Sequence, residues 1–165
     1  MITLPAGAAW WLLPPVLPVA LWTAWSDVKF MRIPNLAVLT LVAVWVVFGL
    51  IALPAEIWAW RWLNLAVVLA AGFALSLAGL IGAGDAKFAA AMAPFVTVAD
   101  LRLFLPLLAA VLLAAFATHR LLARVPAFRT RTADWESWRR KDFPMGLALA
   151  GSLVFYLAMA AAWGR

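Results

Sequence analysis

The stretch Gly82-Ala83-Gly84-Asp85-Ala86-Lys87 places a carboxylate between two long apolar runs of a 165-residue chain. An ionisable side chain beside membrane-embedded residues is costly, and it therefore indicates a functional site. The two glycines permit a tight turn and the close approach of another part of the chain. A second carboxylate, Asp27, stands at the end of an earlier apolar run, ahead of Ile33-Pro34-Asn35. We interpret the two aspartates as partners that meet at one membrane face.

The composition is typical of a polytopic membrane protein. Hydrophobic residues make up 68% of the chain and charged residues 12%, against about 45–50% and about 25% in soluble domains. The absence of cysteine excludes disulfides and thiol chemistry. A single histidine, His119, argues against a His-based metal site. We therefore expect no metal and no other cofactor. The net charge of +6 reports orientation in the membrane rather than nucleic-acid binding.

The apolar runs predict an all-α fold in which a single domain, residues 1–165, crosses the membrane six times. The fourth predicted crossing is short, because roughly 20 Å of helix faces a hydrocarbon core of about 30 Å. Pro34 is expected to be the first residue of the second helix, where its missing N–H is harmless. The predicted segments are 10–26, regular only from about Pro18, then 35–53, 63–81, 86–98, 103–123 and 143–163.

The distribution of basic residues predicts the orientation. If six crossings alternate, ten basic residues fall on one side and three on the other, and the basic side is cytoplasmic. Seven of the ten belong to the region 120–141, which includes Lys141 and lies in a loop expected at the membrane interface. Both termini are then outside, and Asp27 and Asp85 both lie at the cytoplasmic boundary.

Two carboxyl groups at one depth can act as a catalytic dyad. Close carboxyls share one proton, so that one activates water while the other polarises a scissile carbonyl. Asp27 ends a helix, where the dipole disfavours an anion, and Asp85 begins one, where the dipole favours an anion. We therefore hypothesise that Asp85 is the ionised partner and Asp27 the protonated one.

The ordered motifs resemble those of the type IV prepilin peptidases, which are intramembrane aspartyl proteases of the Gly-x-Gly-Asp type. The motifs are Asp27 with Ile33-Pro34-Asn35, the stretch 82–87, and Phe143-Pro144-Met145-Gly146 at the start of the last helix. The resemblance covers nearly the whole chain and implies that Asp27 and Asp85 are the catalytic residues. The supporting motif positions are Gly82, Gly84, Lys87, Pro34, Asn35, Pro144 and Gly146.

The resemblance also implies a substrate and a location. Such an enzyme removes the basic leader peptide of a prepilin or pseudopilin at the cytoplasmic face of the bacterial inner membrane. The lipid bilayer and the pilus assembly machinery are its expected partners. Long members carry a cytoplasmic domain, often with paired cysteines, between the first two segments. Its absence here indicates a short, peptidase-only member, similar to those that serve tight-adherence (Flp/Tad) pili.

Two other classes of function are compatible with the same residues. A transporter or proton-relay subunit would use paired aspartates to bind a cation or substrate. A noncatalytic assembly component of a pilus or secretion system would hold them for structure. A transporter more naturally holds carboxylates near the midplane of the membrane, and a scaffold would tolerate Asp85→Asn.

Overall fold

A computed structural model describes residues 2–140 and 142–165 as a bundle of helices. Lys141, counted above among the basic residues, and Met1 lie outside the described residues. The regular elements of the described chain are helical, which confirms the all-α prediction. They are α1 Ala6–Phe30, α2 Asn35–Ala52 with a π-helical turn at Trp45–Gly49, α3 Ala55–Leu77, α4 Ala83–Met92, α5 Leu101–Leu122, α6 Pro126–Arg131 and α7 Met145–Trp163.

Five helices in the described ranges are long and apolar enough to cross a membrane. They are α1, α2, α3, α5 together with its preceding turn from Val98, and α7. The chain is therefore a multi-pass membrane protein. The predicted fourth crossing is not among these five, because α4 has only ten helical residues before a 3₁₀ turn at Ala93–Phe95.

The prediction that α1 becomes regular near Pro18 is wrong. The helix begins at Ala6 and contains Pro14, Pro15 and Pro18 in its interior. Proline removes backbone donors, but packing against neighbouring helices makes the loss tolerable in a membrane bundle. The side chains of Leu12 and Val16 are fully buried on this stretch, so tertiary packing outweighs the local penalty. Because α1 continues to Phe30, Asp27 lies in its last turn.

Three other predicted boundaries are wrong. The third helix begins at Ala55, directly after Pro54, so the tryptophan-rich residues 55–62 are helical. It ends at Leu77, and Gly79 then adopts a φ of 73°, which is favourable only for glycine. Pro34 precedes α2 instead of beginning it.

The core lies between α1 and α7, with α2, α4 and α5 packed around them. The small residues of α3 allow it to approach α4 closely, as the sequence suggested. A Cβ atom added at Gly72 would lie 3.0 Å from Ala86 Cβ, one residue beyond Asp85. This close contact fixes the start of α4 against α3.

Residues 85–100 connect the two ends of the bundle. Asp85 lies beside the last turn of α1, where Asp27 is placed. Asp100 lies at the other end, where it accepts hydrogen bonds from the backbone N–H groups of Thr3 and Leu4, just before α1 begins. The helix α1 is about 37 Å long. The segment 85–100 therefore leads from the end of α1 that carries Asp27 to the end at which α1 begins.

Candidate active site

Asp27 is fixed in position by the first turn of α7. Its side chain is only 5% exposed, and its Oδ2 accepts a hydrogen bond of 2.6 Å from the backbone N–H of Gly146. The first N–H groups of a helix have no partner within the helix, so this donor is available. A Cβ atom at residue 146 would lie 2.9 Å from Asp27 Oδ2 and 2.9 Å from Ile33 Cδ1. Glycine is required here because any side chain would push the carboxylate away.

Asp85 is held by the start of its own helix. It is the third residue of α4, and its carboxylate accepts a hydrogen bond from the backbone N–H of Gly82, the residue that precedes the helix. This is the reciprocal half of a capping box.

The two glycines of the motif have different surroundings. A Cβ atom at Gly82 would lie 2.6 Å from Asp85 Oδ2, which is closer than any such contact allows. A Cβ atom at Gly84 would meet Ile33 Cβ at 3.5 Å, which is ordinary van der Waals contact. Gly82 is therefore required sterically by the Asp85 carboxylate, whereas Gly84 is not required by its nearest neighbours.

Both aspartates line one pocket of about 390 Å³ at this end of the bundle. Asp27 reaches this pocket from α1 and Asp85 from α4. No three His, Cys, Asp or Glu side chains among the described residues come together to hold a metal ion. The other lining residues are Met31, Arg32, Ile33, Asn35, Gly82, Ala83, Gly84 and Lys87.

Most predicted supporting residues lie in or beside this pocket. Lys87 Nζ donates a hydrogen bond of 3.3 Å to Asn35 Oδ1, which connects α4 to the first residue of α2. This gives Lys87 and Asn35 a joint role that the sequence did not reveal. Gly146 contacts Asp27 from behind, and Pro144 is buried just before α7. Pro34 sets the start of α2 without lining the pocket.

The connection between α1 and α2 contains a residue that sequence reasoning missed. Ser26 Oγ donates a hydrogen bond of 2.9 Å to the backbone carbonyl of Arg32. Met31 adopts a left-handed conformation with a φ of 49°, and its N–H donates to the carbonyl of Asp27 at 2.8 Å. The serine directly before Asp27 was the available signal. The hydrogen bond of Ser26 joins the turn to α1 and so keeps Ile33 beside the pocket.

A second buried polar cluster, also missed, lies at the opposite end. Asp100 is 2% exposed and accepts hydrogen bonds from Tyr156 Oη at 2.6 Å, Thr3 N at 2.8 Å, Thr3 Oγ1 at 2.9 Å and Leu4 N at 3.2 Å. The signal was a single tyrosine in a strongly apolar last helix. The buried Arg61 donates to the carbonyl of Pro94 nearby at 3.2 Å.

The helices and the pocket define a multi-pass helical membrane protein with two carboxylates in a pocket at one end of the bundle. A profile of the type IV leader peptidase family matches residues 16–119, more than half of the chain, and this range includes Asp27 and Asp85. The chain belongs to that family. Membership implies peptidase activity on a prepilin substrate in a membrane setting. Comparisons with curated proteins and with solved structures gave no match.

Proposed function

We propose that this protein is an intramembrane aspartyl endopeptidase that removes the leader peptide of Flp/Tad-type prepilins at the cytoplasmic membrane face. One observation carries the proposal. Asp27 from α1 and Asp85 from α4 line the same pocket, and each carboxylate is oriented by a backbone N–H at the start of a helix. Among the residues that the structure describes, neither carboxylate forms an ion pair with a cationic side chain.

The proposed reaction uses one proton shared by the two carboxyls. Asp85, ionised at the start of α4, takes a proton from the attacking water, whose oxygen adds to the scissile carbonyl carbon. Asp27, protonated, polarises the carbonyl oxygen and then donates its proton to the leaving amine as the C–N bond breaks. The pair ends with one proton, as it began. Site-resolved carboxyl spectroscopy tests the assignment, and a protonated Asp85 beside an ionised Asp27 would reverse it.

The proposed topology has six crossings, with the segment 83–100 as the short fourth. Asp85 and Asp100 lie at opposite ends of the bundle, which supports a crossing between them. Lys29, Arg32 and Lys87 then share the basic, cytoplasmic side with the 120–140 region. This orientation places the dyad at the inner face of the bacterial inner membrane.

The experiment that tests this function is leader cleavage in cells that co-express the chain with an Flp-type prepilin. We expect the wild type to shorten the prepilin and Asp27→Asn and Asp85→Asn to leave it intact. Asp142→Asn is the matched control, because it changes an exposed aspartate outside the pocket. Membrane levels of all four proteins are measured in parallel.

Normal cleavage by Asp27→Asn or Asp85→Asn would contradict the dyad and favour the assembly-component interpretation. Equal loss in Asp142→Asn would show that the assay responds to any lost carboxylate. A pseudopilin tested beside the prepilin distinguishes an inactive protein from a wrong choice of substrate.

A further inference from the structure

The segment 124–140 is a folded element and presents its side chains from a fixed backbone. It contains α6 and a 3₁₀ turn at Glu136–Trp138. Phe128, Trp135 and Trp138 pack on one another with ring centroids 5.8–6.3 Å apart. Trp138 also stacks on the buried His119 at 4.5 Å, and its Nε1 donates to the carbonyl of Thr132 at 2.9 Å.

The surface of this segment is strongly cationic. Its five arginine side chains are exposed, and none has a hydrogen-bond or ion-pair partner within residues 2–140 and 142–165. The segment contains two acidic residues, and one of them, Asp134, is engaged by Lys29 Nζ at 3.1 Å. An excess of exposed, unpaired guanidinium groups on a folded segment is a site for anions. The arginines are Arg124, Arg129, Arg131, Arg139 and Arg140.

The position of the segment selects the kind of anion. It begins where α5 ends and finishes just before α7, so both of its ends leave membrane-spanning helices. Leu121 and Val125 beside the arginines are 61% and 44% exposed. Apolar side chains next to cations match the boundary between lipid headgroups and acyl chains. A basic leader peptide would be repelled from this surface.

We infer that the segment 124–140 binds the phosphate groups of anionic phospholipids and thereby anchors the end of α1 that carries Asp27. The ion pair of Lys29 with Asp134 connects the segment to α1 two residues beyond Asp27. Phe143 packs edge-on against His119, with ring centroids 5.9 Å apart, three residues before the Gly146 that donates to Asp27. The segment is therefore connected to Asp27 in two ways, through Lys29 of α1 and through the start of α7. Lipid bound to the segment would stabilise both connections.

The test measures lipid binding directly and needs no substrate. The full-length protein is placed in mixed micelles of neutral detergent with either phosphatidylglycerol or phosphatidylcholine, and retained lipids are counted by native mass spectrometry. We expect a preference for phosphatidylglycerol that falls as salt is raised, because the attraction is electrostatic. Arg129→Gln/Arg131→Gln should reduce this preference by about 10- to 25-fold, since each basic residue at the membrane surface contributes about three- to fivefold.

The matched control is Arg102→Gln/Arg165→Gln, which removes two exposed arginines at the opposite end of the bundle. It should leave the preference unchanged. Equal retention of both lipids by the wild type, or an equal loss in both double variants, would overturn the inference. Displacement of the lipid by millimolar inorganic phosphate would show a free-anion site, and tighter binding of a polyglutamate peptide than of lipid would show a protein-docking surface. Either result would also overturn it.

The inference and the proposed function fail separately. A wild type that retains phosphatidylglycerol but cleaves no prepilin leaves the lipid site in place and contradicts the peptidase proposal. A wild type that cleaves the prepilin but shows no lipid preference contradicts the lipid site and leaves the peptidase proposal in place. Matching thermal unfolding midpoints for the two double variants confirm that the arginine substitutions leave the fold intact.

Discussion

The two ends of the bundle each hold a buried aspartate, and the surroundings of the two carboxylates differ. Asp100 receives four hydrogen bonds, from Tyr156, Leu4 and both donors of Thr3, which matches the roughly four acceptor positions of a carboxylate. Among the described residues, Asp27 receives one, from Gly146, and lines a pocket together with Asp85. A saturated carboxylate has no acceptor left for water, whereas an unsaturated one does. We therefore propose that Asp100 stabilises the fold, whereas Asp27 takes part in the reaction.

The largest expected effect separates these two roles. Asp27→Asn should lower prepilin cleavage by at least about 100-fold while leaving the protein folded, because it removes a proton-transfer group. Asp100→Asn should lower the free energy of unfolding by about 2–4 kcal/mol, because buried donors lose their charged partner. Cleavage by the folded fraction should remain near the wild-type level. Thermal unfolding in detergent and cleavage, normalised to folded protein, are measured for both variants.

Where Asp100→Asn fails to accumulate, Tyr156→Phe removes a single donor and provides the milder test. It should cost about 1–2 kcal/mol of stability with no change in cleavage. The distinction between the two ends would be lost if Tyr156→Phe abolished cleavage in a folded protein, or if Asp27→Asn unfolded it.

The sequence predicted which residues come together better than it predicted where the helices begin and end. Asp27, Asp85, Gly82 and Asn35 do lie in one pocket, because ionisable and glycine residues are conspicuous in an apolar chain and their order along it is informative. Helix boundaries were harder to predict. Pro14, Pro15 and Pro18 predicted an irregular first half of α1. The packing of α1 against α7 compensates for the backbone donors that these prolines lack.

What the sequence could not show depends on contacts between distant residues. The donor to Asp27 is a backbone N–H 119 positions later in the chain, and a backbone group leaves no mark in the residue types. The same holds for the N–H groups of Thr3 and Leu4 that bind Asp100. The hydrogen bond of Lys87 to Asn35 joins two residues that are separated along the chain by α2 and α3, so residue spacing gave no indication of it.

A smaller effect is expected from the contact behind Asp27. Gly146→Ala places a methyl group 2.9 Å from Asp27 Oδ2, so the carboxylate must shift. A misplacement of about 1 Å can cost about 100-fold in rate, and overpacking costs about 1–3 kcal/mol. We expect cleavage to fall by about 10- to 100-fold, measured with the same prepilin assay.

Gly7→Ala is the control for this substitution. It also adds a methyl group to a helix, but nothing lies within 4 Å of the new atom. Cleavage at the wild-type rate by Gly146→Ala would mean that Asp27 does not depend on the first turn of α7 for its position.

The motif glycines offer a finer comparison within the pocket. Gly82→Ala should reduce cleavage by about tenfold or more, because its methyl group would lie 2.6 Å from Asp85 Oδ2. Gly84→Ala should reduce it by no more than about threefold, because the new methyl group makes an ordinary contact with Ile33 and alanine favours the helix. Initial cleavage rates of the two variants, at equal membrane levels, give the ratio. Equal effects would show that substrate, and not the Asp85 carboxylate, sets the need for glycine.

The smallest expected effect concerns the hydrogen bond between α4 and α2. Lys87 is exposed, and its bond to Asn35 is 3.3 Å long, so Lys87→Met should lower stability by less than about 1 kcal/mol. Cleavage should fall by roughly two- to fivefold as the pocket loosens. If the bond is the cause, adding Asn35→Ala to Lys87→Met should have little further effect, which a double-mutant cycle measures. Fully multiplicative effects would instead mean that Lys87 and Asn35 act separately, each on the substrate.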